Sequence, residues 1–210
     1  MATRDAEATK ARIFEAATEE FAAYGIAGAR VDRIAHNAQA NKQLIYAYFG
    51  DKRKLFYKVL DKAMVEVAEM VSTDITDLDR WVDGHIDYHN KHPELLRLLM
   101  WEALEVQEHD VCRTEDRIER YGVKKQKIAD AQEQGLVRKD MPSSYLLMML
   151  MSMVNYAAAM PQVRNLVLGP EFDAEELREW TKDAVRRVAA KAAEPVSAAA
   201  SEEPAEPALA

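Results

Sequence analysis

Cysteine is nearly missing from this chain: Cys112 stands alone among 210 residues. One thiol permits neither an intrachain disulfide nor a cysteine-based zinc cage. Such usage suits a reducing cytoplasm, the expected location. Glycine and proline are also scarce, seven of each, too few to punctuate the short strands of an all-β fold, and no bounded period-2 alternation stands out. The opening "MATRDAEATKARIF" is polar and mixed in charge, unlike a signal peptide. The longest apolar run, "YLLMMLMSMV", is too short to cross a bilayer, so no membrane association is expected.

What is present favours helices. Hydrophobic residues make up 49% of the chain, enough for a substantial core, and long stretches are rich in Ala, Leu, Met, Glu, Lys and Arg. The net charge of −8 is unevenly spread. Residues 1–60 hold ten Lys and Arg against seven Asp and Glu, a balance of +3, which leaves the remainder at −11. A mildly basic head on an acidic body is a weak pointer toward nucleic acid.

Periodicity predicts an all-α protein of about nine helices. The first covers about residues 8 to 24, with Ile13, Ala16, Ala17, Phe21 and Tyr24 on one face and Gly25 left-handed just past its end. "VDRIAHNA" turns Val31, Ile34, Ala35 and Ala38 inward, "QAN" is a tight turn, and "KQLIYAY" is a third short helix. About seven residues cannot hold a helix alone. Leu44, Ile45 and Phe49 are expected to anchor it against Phe21, Ile34, Ala35 and Phe56. Two short helices across so tight a turn form a helix-turn-helix. Asp51 caps a fourth helix that runs to about residue 72. A fifth covers about 78 to 91. The sixth has Pro93 in its first turn, the seventh stops at Gly135-Leu136 in a Schellman motif, the eighth runs from Pro142 to about 160, and Asp173 with Glu176 opens the ninth. The domains read as 1–52 (helix-turn-helix), 53–191 (helical body) and a disordered tail, 192–210, with almost nothing to bury.

The segment "ARIFEAATEEFAAYGIAGARVDRIAHNAQANKQLIYAYFGDKRKLFYKVL" resembles the DNA-binding domain of TetR-family transcriptional regulators, most specifically in "LIYAYFGDKRKLF". "HPELLRLLMWEALE" and the last two helices are similar to that family's C-terminal domain. The resemblance covers about residues 8 to 190. It implies a homodimer that binds a palindromic double-stranded operator, with a C-terminal helical domain for dimerisation and for a small-molecule effector that releases the DNA. The sequence departs from the family pattern at Ala29-Arg30, at Gln39 in the turn and at Gln43. If Gln39 takes a positive φ, the cost is about 1 kcal/mol.

On that reading Gln43 is the sharpest candidate contact, since glutamine can pair bidentately with an adenine edge in the major groove. Lys42 could meet a guanine or a phosphate, and Ala47 a thymine methyl. Tyr46 and Tyr48 could reach phosphates with their hydroxyls. Asn41 is either a plain helix cap or a phosphate ligand. Lys52, badly placed for the dipole of its own helix, is expected to find a phosphate, with Arg30 as a second clamp. Each also has a bland reading as a solvated or half-buried surface residue.

In the body, Trp81, His85, Tyr88, Met100, Trp101, Leu104, Tyr121, Met148, Ser152 and Asn155 mix aromatic, methionine and polar groups in a way that suits a deformable ligand cavity, though any of them could be simple core. Glu102 and Glu105 flank Trp101 and could favour a cation, but a solvated face is the preferred expectation for them. Met149, Met153, Tyr156, Trp180 and Val185 are expected at a dimer seam on the last two helices. An enzyme is disfavoured: no Ser/His/Asp set or glycine-rich phosphate loop is signalled. His85 and His89 are four apart but lack a third marked ligand, so no metal or cofactor is expected. A helical adaptor that binds only protein is the other rival.

Overall fold

The computed structural model describes residues 2–107, 111 and 114–191. All regular structure among them is helical, in ten elements: α1 (Ala2–Gly28), α2 (Val31–Asn37), α3 (Lys42–Phe49), α4 (Lys52–Met70), α5 (Leu78–Lys91), α6 (Glu94–Glu105), α7 (Thr114–Glu133), α8 (Ser143–Ala159), α9 (Pro161–Leu168) and α10 (Ala174–Ala189). The expected count was about nine. The additional helix is α9, which starts at Pro161 after a bend of 83° from α8. It has no buried residue, so it carries no inward stripe for periodicity to detect. No single described helix is long and apolar enough to cross a membrane. The expected tail at 192–210 and Cys112 lie outside the described residues.

Local chemistry sets most boundaries. Asn41, Asp51 and Asp173 each turn a side-chain oxygen onto a free N–H in the first turn of α3, α4 and α10. Gly135 has φ 68°, with Leu136 N–H on the Ala131 carbonyl and Gly135 N–H on that of Gln132, which is the Schellman pattern. Gln39 closes α2 in the same way, with φ 49° and Ala40 N–H bonded to Ala35 O at 2.9 Å. The positive φ expected of this non-glycine residue is thus present. Gly25 also has positive φ, but its ψ of −172° is not left-handed helix. It kinks α1, and a last short turn follows to Gly28.

The helix-turn-helix is propped from behind. Ile45 and Phe49 of α3 are buried with Ile13, Phe21, Ile34, Leu55 and Phe56. Edge-to-face rings lock the corner, Phe14 on Phe49 at 5.1 Å and Phe21 on Phe56 at 5.3 Å. Leu44 is the exception to expectation: it lies one residue off the inward stripe and stays exposed. The same core continues past residue 52 into α4 and reaches Tyr88, Leu95 and Leu98 of α5 and α6. A second core joins Val82 of α5, Ile128 of α7, Leu146 and Leu150 of α8 and Val185 of α10.

A buried carboxylate ties α1 to α2. Glu20 is buried, accepts the Arg30 N–H at 2.7 Å and pairs with Arg33 at 2.6 Å. Burial pushes the Glu20 carboxyl up, but the Arg33 guanidinium and the Arg30 N–H outweigh it and hold the group below its usual range. Arg33→Ala will strand this charge. Breaking a buried pair costs about 3–5 kcal/mol, and since 37% of the Arg33 side chain is open to solvent, the expected loss is about 2 kcal/mol. Urea unfolding at pH 7 checks it, and Glu20→Gln in the Arg33→Ala background should recover part of the loss.

Candidate DNA-reading face and ligand cavity

With Ile45 and Phe49 sealed inward, α3 turns Gln43, Tyr46 and Ala47 outward together. That is the arrangement needed for the early residues of a reading helix to enter a major groove. Around them, Lys42 pairs with Asp32 across the turn at 2.8 Å, an exposed contact worth little in water. Asn41 Oδ1 accepts the Gln43 N–H at 2.8 Å, so the side chain acts as a helix cap. Arg30 sits at the start of α2 with its side chain exposed. Tyr48 is half-buried, edge-on to Phe49, with Lys10 Nζ 5.3 Å over its ring. Lys52 does not stand free: Nζ donates to the carbonyls of Ala27 at 3.2 Å and Ala29 at 3.0 Å. A cation at the end of α1 is well placed for that helix's dipole, so the awkward position in α4 is explained within the chain.

The largest cavity among those described, about 720 Å³, opens between α7 and α8, within the range of small-molecule sites. Four of the ten expected effector residues line it: Tyr121, Met148, Ser152 and Asn155. Tyr156, expected at a dimer seam, lines it too. Ile118, Gly122, Lys125, Ser144, Leu147, Met151 and Ala159 complete the wall and were not anticipated. The signal was there: the α8 members recur at steps of three and four from Ser144 to Ala159, one helical face. Behind this cavity is a chamber of about 70 Å³ that includes His85, His89, Arg120 and Lys124. Tyr121, Met151 and Asn155 line both spaces.

The other expected pocket residues point elsewhere. Trp81 is buried under His85, ring centroids 4.2 Å apart, and borders a narrow crevice. Tyr88 is buried, and its hydroxyl donates to Ala63 O. Met100, Trp101 and Leu104 lie on α6, which packs against α1. Trp101 Nε1 donates to Ala22 O at 3.1 Å, while Met100 and Leu104 are exposed, the latter at 75%. Glu102 corrects the expectation of a solvated face: it is buried and takes both its oxygens to Arg117 Nη1, at 2.9 and 2.7 Å. Glu105 is exposed, and accepts the Ala27 N–H at 2.8 Å. His89 Nε2 faces Asn155 Oδ1 at 2.9 Å, and no cluster of three metal-ligating side chains exists among the described residues. On the expected seam, Met149, Tyr156 and Trp180 are exposed and Met153 is half-buried. Val185 is fully buried in the second core and has no surface to offer a partner.

A helix-turn-helix with its polar face open, carried by a helical body with a ligand-sized cavity, defines a ligand-responsive DNA-binding regulator rather than an enzyme. Comparison with known proteins gives the family. Residues 13–59 match the family described as bacterial regulatory proteins, tetR family, and residues 77–187 match the tetracyclin repressor-like C-terminal domain. The chain is 48% identical over 189 residues to the HTH-type transcriptional repressor SCO4008 of Streptomyces coelicolor, spanning 90% of this chain and 98% of that protein. It is 30% identical over 162 residues to the HTH-type transcriptional repressor NicS of Pseudomonas putida, spanning 71% and 76%. The crystal structure of SCO4942 from Streptomyces coelicolor is similar with a TM-score of 0.76 at 30% identity, over 86% of this chain and 98% of that one. The chain belongs to the TetR family of transcriptional regulators. Members of this family bind operator DNA, act as dimers and bind small-molecule effectors.

Proposed function

We propose that this protein is a cytoplasmic homodimeric repressor that holds a palindromic operator and lets go when a small molecule enters the α7–α8 cavity. The observation that carries the DNA half is the joint exposure of Gln43, Tyr46 and Ala47 on a helix sealed from behind by Ile45 and Phe49. One such helix reaches few bases, and a two-fold pair reads two half-sites about one helical turn or a multiple apart. The exposed apolar surface of α8 and α10, with Met149 and Trp180 (62% exposed), supports the pairing. In this reading Gln43 and Lys42 face bases, Ala47 a thymine methyl, and Tyr46, Tyr48, Asn41 and Arg30 the backbone. Lys52 steadies the end of α1 and adds positive potential.

Two ion pairs offer the route from cavity to DNA. Arg117 on α7 grips Glu102 of α6, and Arg120 on α7 grips Asp61 of α4 at 2.9 Å. A ligand that displaces α7 therefore pulls on both helices that meet the head. It can shift the balance of head orientations only if it binds one orientation better.

Selection of bound fragments from genomic DNA tests the proposal. The expected yield is inverted repeats, bound by two chains per duplex and released by a compound that titrates into the cavity. On the selected site, Gln43→Ala should cost about 1–3 kcal/mol and relax preference at one position per half-site. Equal losses on cognate and scrambled duplexes would remove Gln43 from the base readers.

A further inference from the structure

The chamber behind the main cavity has an apolar wall too, with Met64, Val67, Leu95, Leu96 and Leu99, but it also holds charged and imidazole side chains. Outside, Ile118, Leu147, Met148 and Met151 make the wall largely apolar. Inside, three buried polar atoms lack a hydrogen-bond partner: His85 Nε2, His89 Nδ1 and Arg120 Nη1. Buried polar groups are normally satisfied, so three orphans on side chains that share the lining of one small void point to a place where a polar group can be taken up. Their roles can be read. His85 Nδ1 lies 2.8 Å from the Trp81 carbonyl, which can only accept, so Nδ1 carries the proton and the neutral ring leaves Nε2 as an acceptor. Burial lowers the His85 pKa to about 4, so the ring is neutral at pH 7. Arg120 Nη1 can only donate. Lys124 also lines the chamber, and among the described residues no carboxylate pairs with it. The Arg120 charge is already met by Asp61. A chamber of about 70 Å³ has room for one small functional group or about two waters.

We propose that this chamber takes the oxygen-acid head of an otherwise apolar ligand, a phenol or a carboxylic acid. A phenol gives its O–H to His85 Nε2 and accepts from Arg120 and Lys124 with its oxygen, whereas a carboxylate, which has no proton at pH 7, meets only Arg120 and Lys124. The apolar body stays in the α7–α8 vestibule, past Tyr121, Met151 and Asn155. The Lys124 ammonium disfavours a cationic head, and the two unpartnered ring nitrogens, His85 Nε2 and His89 Nδ1, are neutral acceptors that bring no negative charge to offset it. The inference rests on the regulator reading for its biological sense, and on the chamber alone for its chemistry.

Calorimetric titration of the full chain with 4-butylphenol, 4-butylbenzoate and 4-butylbenzylamine tests it. Both acids should bind at least tenfold tighter than the amine. Lys124→Met, a change on a partly buried side chain, should weaken the benzoate at least tenfold and the phenol far less. His85→Phe should weaken the phenol at least fivefold. Amine binding equal to or tighter than acid binding would overturn the proposal, as would unchanged acid affinities in a folded Lys124→Met protein. Operator release is scored separately by mobility shift. Acids that bind as described while leaving DNA bound support the chamber chemistry and count only against its role as the effector site.

Discussion

Gly25→Ala will destabilise the protein by about 4 kcal/mol. Two independent costs combine. The backbone at Gly25 has φ 68° and ψ −172°, a region that is essentially glycine-only and costs other residues about 1–3 kcal/mol. A Cβ there would also collide with Glu105 Oε1 and come within 2.6 Å of Trp101 Cε3 and 2.8 Å of Cδ2. The indole cannot yield cheaply. Trp101 is held through Nε1 to Ala22 O, where Arg97 Nε also donates at 2.7 Å, and Glu105 is held by the Ala27 N–H. Overpacking of this kind costs about another 1–3 kcal/mol. Urea unfolding gives the total. Trp101→Ala in the Gly25→Ala background should relieve the clash but not the backbone strain, so the two changes should couple. A Gly25→Ala protein within 1 kcal/mol of wild type would mean that the kink is not fixed by its surroundings.

That junction also marks where the sequence stopped being legible. Glycine 25 reads as a helix end from its position after a five-residue apolar stripe, and α1 does break there. Nothing local says that an indole from α6 fills the space beside it. The same division runs through the molecule. Asn41, Asp51, Asp173 and Gly135 were readable because a cap is satisfied by atoms two or three residues away. Ile45 and Phe49 were readable because only one face of a short helix can be covered. Met100, Trp101 and Leu104 have the mixture of aromatic and flexible side chains that suits a cavity, yet α6 turns them toward α1 or solvent. Val185 has the composition of a seam and the burial of a core. Glu102 looks like a surface carboxylate until Arg117, fifteen residues on, is brought beside it. Three of the eight α8 wall residues, Met148, Ser152 and Asn155, are legible from its composition and register, but the partner face on α7 depends on tertiary packing.

Protonation should unmake the ligand chamber before most of the fold feels acid, and the sign follows from His85. Its ring is buried. Burial is the main force that lowers its pKa from 6.5 to about 4, with Lys124 and His89 adding to it and the Trp81 carbonyl opposing. Between pH 6.5 and pH 4 the unfolded chain binds a proton at this residue and the native chain does not. Stability therefore falls as pH drops through that window and is fully present above it; below about pH 4 both states are protonated and the dependence ends. The full span is worth about 3 kcal/mol, and about 2.5 kcal/mol of it is lost by pH 4.5. His89 is lowered for the same reason, burial, and steepens the fall. The measurement is urea unfolding at pH 7 and pH 4.5 for wild type and His85→Phe. Carboxylates such as Glu20 titrate alike in both proteins, so the difference between their pH dependences isolates the imidazole. Wild type should lose about 2.5 kcal/mol more than the variant, and parallel profiles would mean that His85 is solvated. The physical link to ligand recognition is direct. The desolvation that makes a protonated His85 expensive is also what keeps its Nε2 lone pair available at neutral pH, so an acid-sensitive fold and a constant hydrogen-bond acceptor in the chamber are two results of burying one ring.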